Sequence, residues 1–234
     1  MSCIGIVCAL SVEANCLTDK TIPTNIAMQI NEHAIAIVCG MGEENALNAA
    51  QILIKKDVRA LVSWGTAGAL TENIHAGDLL LADGVVSNDE NKYSFDTEWN
   101  KRIADELCNT SLKIRHGMIA HAQQVLATAE DKKNLHSKTN ALAVDMESFA
   151  IAQLANKTTL PCISVRAIVD EASQCIPEAV IKNTDIFGRP ALFPLFSSLI
   201  RQPGLIAELI KLGASIRAAT KTLNTIARSQ ALFR

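Results

Sequence analysis

Ala143-Val144-Asp145-Met146-Glu147-Ser148-Phe149-Ala150-Ile151-Ala152 and, soon after it, Cys162-Ile163-Ser164-Val165-Arg166-Ala167-Ile168-Val169-Asp170 are the stretches that fix the reading of this chain. In the first, an apolar run gives way to acid, methionine and acid, and then to a small-residue helical pattern. A buried strand turning into a helix produces that order. The second is an apolar, β-branched run ending in another acid. Glu147 and Asp170 are therefore expected at neighbouring carboxyl-end positions of one sheet, where open α/β folds bind ligands. Two carboxylates with Met146 between them suit a ligand that carries a diol and a flat apolar face.

Outward from these stretches, short β-branched runs alternate with helical ones. Residues 3–10 read as a buried strand, and 27–31 with 34–39 as a hairpin turning at Glu32-His33. Residues 44–56 have helical periodicity through Ala46, Leu47, Ala50 and Ile54. Strands are expected over 60–64, 78–82, 113–120, 141–144 and 162–168, with a helix over 147–156. This alternation predicts an α/β fold of three layers, with a mostly parallel, mixed central sheet flanked by helices. The length of 234 residues suits a single domain, 1–234, in which 189–234 form a basic helical extension.

The tail has its own character. Residues 192–200 and 205–223 read as two helices separated by Gln202-Pro203-Gly204. In the second, Leu205, Leu209, Leu212, Ile216 and Leu223 recur at helical spacing. From 186 onward Arg189, Arg201, Lys211, Arg217, Lys221, Arg228 and Arg234 face a single acid, Glu208, although the whole chain carries a net charge of -2. The tail either packs on the domain as amphipathic helices or rests its basic face on a membrane.

Composition narrows the function classes. A near-neutral chain with 49% hydrophobic residues gives no reason to expect nucleic acid as a partner. Cys3, Cys8, Cys16, Cys39, Cys108, Cys162 and Cys175 form no CxxC pair and read as free, mostly buried thiols of a reducing cytoplasm. The start Met1-Ser2-Cys3-Ile4-Gly5 has no basic leader segment, and no apolar run reaches the roughly 18 residues of a membrane span. His33, His75, His116, His121 and His136 show no metal-ligand spacing, so no metal is expected. Neither a Gly-x-Ser-x-Gly elbow nor a zinc-deaminase cysteine pair occurs.

Two glycine-bearing turns are expected after strands, Gly40-Met41-Gly42 and Gly65-Thr66-Ala67-Gly68. The first lacks the third glycine of a dinucleotide fingerprint, since position 45 is Asn. The second adds a hydroxyl, Thr66, suited to a phosphate or sugar oxygen. Glu13 follows the first strand, where a lone carboxylate is commonly a solvated loop charge. Asp145 and Glu147 could each be helix N-terminal acids.

Taken in order, four pieces resemble the nucleoside phosphorylase and nucleosidase superfamily, in particular its methylthioadenosine/S-adenosylhomocysteine nucleosidase-like branch. These are the first strand with Glu13, Gly65-Thr66-Ala67-Gly68, Val144-Asp145-Met146-Glu147-Ser148, and Arg166-Ala167-Ile168-Val169-Asp170. The resemblance implies an enzyme that breaks a ribose–purine bond with phosphate or water, in a homo-oligomer. It implies that Glu147 accepts the ribose hydroxyls and Met146 packs on the sugar. Val125, Leu126 and Asp170 would meet the base, with Asp170 as general acid at N7 and Glu13 holding the attacking water. Gly42, Gly65 and Thr66 would form the phosphate or water site, with phosphate as a possible co-substrate and no other cofactor. Keeping an aspartic acid protonated at pH 7 costs roughly 4 kcal/mol against its ordinary value near 3.9, so burial must supply the shift. Glu147 is expected to stay ionised, and Arg166 to pair with one of the acids.

Departures from the pattern matter too. Val169 stands where the family usually has Ser before its aspartate, removing one orienting hydrogen bond and leaving base selectivity open. No arginine precedes Arg59, so a phosphate would need Arg102 or Arg115 to reach in. The tail, with Gly188-Arg189 and its proline break, resembles the hopanoid-associated phosphorylases. That implies an adenine nucleoside with a bulky apolar 5′ substituent, such as adenosylhopane, and a cytoplasmic protein peripheral to the inner membrane face.

Overall fold

A computed structural model describes residues 3–189, 205–229 and 232–233. The alternation of the first strand explains how the layers form. In β1 (Ile4–Cys8), Ile4, Ile6 and Cys8 point into one apolar cluster and Val7 into the opposite one. Both faces are buried, as a parallel strand between helical layers requires. After α1 (Ser11–Ala14) come β2 (Met28–Asn31) and β3 (Ala34–Val38), the expected hairpin, closed by His33 N–H donating to Asn31 Oδ1 at 2.8 Å. The helix α2 (Glu43–Ile54) then leads into β4 (Ala60–Ala69) and β5 (Leu79–Val86). These are followed by β6 (Lys92–Ser94), α3 (Thr97–Leu107), β7 (Ile114–His121) and α4 (Ala129–Thr139). The chain continues through β8 (Ala143–Asp145), α5 (Ser148–Lys157), β9 (Cys162–Asp170) and α6 (Glu178–Lys182) to α7 (Leu205–Ser229).

The sheet runs β2-β3-β1-β4-β8-β7-β5-β6, with β9 paired to both β4 and β5. β1 is parallel to β3 and β4, β4 to β9, and β7 to β5 and β8, while β2, β6 and the β4–β8 and β5–β9 pairs are antiparallel. The mostly parallel, mixed sheet between helices is thus as expected. What the alternation does not show is that β4, β9, β5, β7 and β8 pair around a closed ring. β4 makes this possible by its length: its early residues pair with β9, and Gly68 and Ala69 also pair with β8.

One apolar layer joins β1, β4, β5 and β9 to α3 and α7 through Trp64, Leu81, Val165, Ile103, Leu223 and Ile226. The other seats α2 and α5 on the opposite face through Leu53, Ile151, Leu80 and Ile119. Burying each such side chain contributes about 1.5–3 kcal/mol. The second tail helix is longer than its apolar repeat predicts, and its Ala219, Leu223 and Ile226 belong to the central core. Thr222 Oγ1 also donates to Gly77 O at 2.6 Å. Nearer its start, Ile206, Ile210 and Ile216 are exposed. The helix expected over 192–200 and the break at 201–204 lie outside the described residues. Among the described residues no helix is long and apolar enough to cross a membrane.

Candidate active site

The carboxyl ends of β1, β3, β4, β7, β8 and β9 converge on one cleft of about 210 Å³. Glu13, Thr66, Val125, Leu126, Met146, Glu147 and Asp170 all line it. Residues separated by more than 150 positions in sequence therefore share one space. Gly65 and Gly42 do not line it; they act from behind the acids.

Glu13 is no solvated loop charge. It sits in α1 and is 2% exposed. Its Oε1 accepts the Thr66 backbone N–H and hydroxyl, both at 2.8 Å, and its Oε2 accepts Leu10 N–H at 3.0 Å. Burial pushes its carboxyl up, against the pull of Arg166 and these hydrogen bonds. The Thr66 hydroxyl is thus spent on a carboxylate and not left open for an anion.

The Gly65-Thr66-Ala67-Gly68 turn expected after the strand is instead the second half of β4. Glycine is needed there for room. A Cβ at Gly65 would lie 2.6 Å from both Glu13 Oε1 and Arg166 Nη1, and one at Gly68 would lie 3.0 Å from Asp170 Oδ2. A bulge between Ala67 and Gly68 brings Gly68 opposite Asp170. Gly40-Met41-Gly42, by contrast, is a true turn, with φ of +85° and +105° at its glycines. Gly42 N–H donates to Glu147 Oε1 at 2.9 Å. That donor too serves a carboxylate.

Asp145 and Glu147 divide their work. Asp145 caps α5: its Oδ1 accepts the N–H groups of Glu147 and Ser148 at 3.3 and 3.1 Å, and its Oδ2 accepts the Ser148 hydroxyl. Glu147 makes no such cap and faces the cleft. Beneath them Arg166, 1% exposed, places Nη2 2.7 Å from Asp145 Oδ2 and 3.7 Å from Glu147 Oε2, and donates to Ser63 Oγ at 2.7 Å. The expected Arg166–acid pairing is present, with Asp145 the closer partner. One cation under Glu13, Asp145 and Glu147 leaves negative charge in surplus. Burial lifts Glu147 to about 7, with Asp145 and Glu13 adding to the lift and Arg166 and Gly42 opposing it. In the free protein Glu147 is therefore less firmly ionised than an ordinary glutamate.

Asp170 has a partner that sequence reading passed over. Lys132, on α4 and fully buried, donates to Asp170 Oδ2, and also to Glu171 O at 2.8 Å and Gln174 O at 2.9 Å. Val169 lines the cleft and offers no polar group, and the contact that orients Asp170 comes from Lys132 on α4. Glu130-Asp131-Lys132-Lys133 has the local pattern of a solvated, charged segment, which carries no signal of the burial of Lys132. Burial lifts the Asp170 carboxyl and Lys132 pulls it down. Arg115 is held by Asp78 at 3.1 Å, and Arg102 is exposed on α3; neither lines the cleft. Among the described residues no three His, Cys, Asp or Glu side chains are grouped to hold a metal ion.

The family model described as Phosphorylase superfamily matches residues 4–189. The 5′-methylthioadenosine/S-adenosylhomocysteine nucleosidase of Staphylococcus aureus (strain JH9) is 26% identical over 206 residues, covering 73% of this chain and 87% of that protein. The crystal structure of the Helicobacter pylori nucleosidase of the same name, with butyl-thio-DADMe-Immucillin-A, superimposes with a TM-score of 0.71 at 19% identity, covering 97% of this chain and 98% of that one. Futalosine hydrolase of Helicobacter pylori gives a TM-score of 0.70 at 19% identity and covers 97% of each chain. At these identities the solved structures bear on the fold alone.

Proposed function

The chain belongs to the phosphorylase superfamily, and from that premise we propose that it cleaves the N-glycosidic bond of an adenine nucleoside. The observation that carries this reading is the single cleft in which Glu13, Glu147 with Met146, and Asp170 with Val125 and Leu126 meet. Breaking a ribose–purine bond puts positive charge on the sugar and negative charge on the base. Glu147, ionised when it accepts the ribose hydroxyls, and Glu13 stabilise the cationic sugar through nearby negative charge. Glu13, held by three hydrogen bonds with its basicity raised by burial, is suited to orient and deprotonate a water. Asp170 takes the purine edge, between the apolar surfaces of Val125 and Leu126.

Water is favoured over phosphate as nucleophile. Among the described residues lining the cleft, Lys132 is the only cation, and its three donors are already used. A phosphate dianion would face Glu13 and Glu147 without a positive partner. The names of the relatives agree with a hydrolytic reaction.

The proposal extends to a bulky apolar 5′ substituent of the adenosylhopane type. Leu10, Met41 and Ile176 give the cleft an apolar side, and exposed Ile206 and Ile210 on α7 offer a surface for a lipid interface. It also extends to a cytoplasmic homo-oligomer. The deciding assay is release of adenine from adenosine, methylthioadenosine and a lipid-bearing adenosine, with and without phosphate. Tight binding without release from any substrate refutes the enzymatic reading, and dependence on phosphate refutes hydrolysis. Because Leu223 and Ile226 are core residues, the membrane contact is best tested in the full chain. Unchanged liposome co-sedimentation after Ile206→Ser with Ile210→Ser removes that part. Light scattering in solution checks the oligomer.

A further inference from the structure

Ser63, Ser148 and Ser164, on β4, α5 and β9, are all fully buried. A buried hydroxyl is tolerated only with hydrogen-bond partners, and an alanine would fill such a site more simply. These hydroxyls meet one another: Ser63 Oγ lies 3.0 Å from Ser148 Oγ, and Ser148 Oγ 2.9 Å from Ser164 Oγ. They also hold Arg166, the cation beneath the acids of the cleft. Its Nη2 donates to Ser63 Oγ at 2.7 Å and to Ser148 Oγ at 3.1 Å, and lies 2.7 Å from Asp145 Oδ2. A guanidinium only donates, so Ser63 accepts from Arg166 and keeps its own hydrogen for Ser148. Ser148 in turn donates to Asp145 Oδ2. The chain from Arg166 through Ser63 and Ser148 to Asp145 thus closes back on the ion pair. Glu147 is left outside this ring. Its Oε2 is 3.7 Å from Nη2, beyond hydrogen-bond reach, and its Oε1 takes the Gly42 N–H.

We propose that Ser63 and Ser148 are positioning residues that tether Arg166 to Asp145 and so keep Glu147 free of a bound cation, open to the ribose hydroxyls. The assignment rests on Glu147 being the ribose acceptor, as in the proposed function. Two acids compete here for one guanidinium, and the serine oxygens settle the contest on the Asp145 side. Without them Nη2 loses two of its three close acceptors, and Glu147 Oε2 is the acid at hand to replace them. A carboxylate forked to an arginine has its lone pairs and charge engaged, so it accepts two sugar hydroxyls less well. The same pairing favours the ionised form of Glu147. The other groups facing Glu147 do not take over this part. Asp145 from β8 and Glu13 from α1 are like charges, and the Cys39 thiol after β3 is pushed up by burial and stays neutral. Glu43, at the start of α2, is turned to His121 at 3.3 Å.

The test compares the full-length chain with Ser63→Ala and Ser148→Ala, singly and together, and with Glu147→Gln. Carbon-13 NMR of labelled glutamate reads the titration of Glu147 without ligand, the Gln variant assigning the signal. Calorimetry reads binding of free adenine and of formycin A, a carbon-linked adenosine analogue whose base cannot be released. In the double serine variant the Glu147 midpoint should fall by about one pH unit. Formycin A should bind about 10-fold more weakly at pH 8, while adenine binding holds. Each single variant leaves Arg166 one serine contact and should move the midpoint less. On a Glu147→Gln background the serine changes should have no further effect on formycin A. An unmoved midpoint, an unchanged affinity for formycin A, or an equal loss of adenine binding overturns the proposal, and so does an additive loss on the Gln background. If the parent binds no nucleoside, the functional reading falls and takes the ribose role with it. An unmoved midpoint in a parent that does bind formycin A sinks this inference alone.

Discussion

Replacing Arg166 by Met should destabilise the protein strongly, and by an amount that depends on pH. The guanidinium is 1% exposed, 2.7 Å from Asp145 and 3.7 Å from Glu147, and it lowers the carboxyl of Glu13 as well. Methionine fills part of the volume but leaves these acids without their cation. Removing one partner of a buried pair costs about 3–5 kcal/mol, which for a chain of this size corresponds to a fall on the order of 10 °C in Tm. Burial already lifts Glu13 and Glu147, and Arg166 holds both down, so its loss raises them further. A carboxyl raised in the folded state contributes stability that is whole below its unfolded value, near 4.5, and is lost as pH rises through the folded one. The penalty of Arg166→Met should therefore be small at pH 5, where the acids can be neutral, and complete at pH 8. Urea unfolding of both proteins at the two pH values measures it. A loss below about 1 kcal/mol at pH 8, or an equal loss at both values, refutes the picture of one cation holding a surplus of buried acid.

Three further outcomes follow from the same geometry. Because Glu147 titrates near 7 against 4.5 when free, the parent should lose up to about 3 kcal/mol of stability between pH 5 and pH 8, and Glu147→Gln should flatten that slope in thermal melts. Gly65→Ala puts a methyl 2.6 Å from Glu13 Oε1 and Arg166 Nη1, so it should lower Tm and reduce adenine release together; an unchanged melting curve would contradict the close approach. Thr66→Val deletes a 2.8 Å hydrogen bond that lowers the Glu13 carboxyl. Its ionised form should then be reached at higher pH, and the acid limb of the activity profile should move upward, while retention of the parent profile argues against Glu13 as the base.

The sequence by itself determined the layers and the carboxylates. Period-2 and helical runs record which faces are buried, so Ile4, Ile6 and Cys8, or Ala46 and Ala50, declare their elements locally. Acids at strand ends, Glu147 and Asp170, declare a cleft for the same reason, since a charge directly after a buried strand must emerge where the sheet ends. What each acid touches was decided only in three dimensions. Gly65 and Gly68 looked like turn glycines but continue β4, because the need they meet is room for side chains from α1 and β9, and a local pattern cannot register a neighbour that distant. Arg166 lies mid-strand in an apolar run, and its choice of Asp145 over Glu147 depends on how β8 and β9 flank β4. Lys132 is the clearest case. Amid charged neighbours on α4 it has the local pattern of a solvated residue, yet the ring of strands brings it 38 positions along the chain to Asp170, and only that meeting buries it.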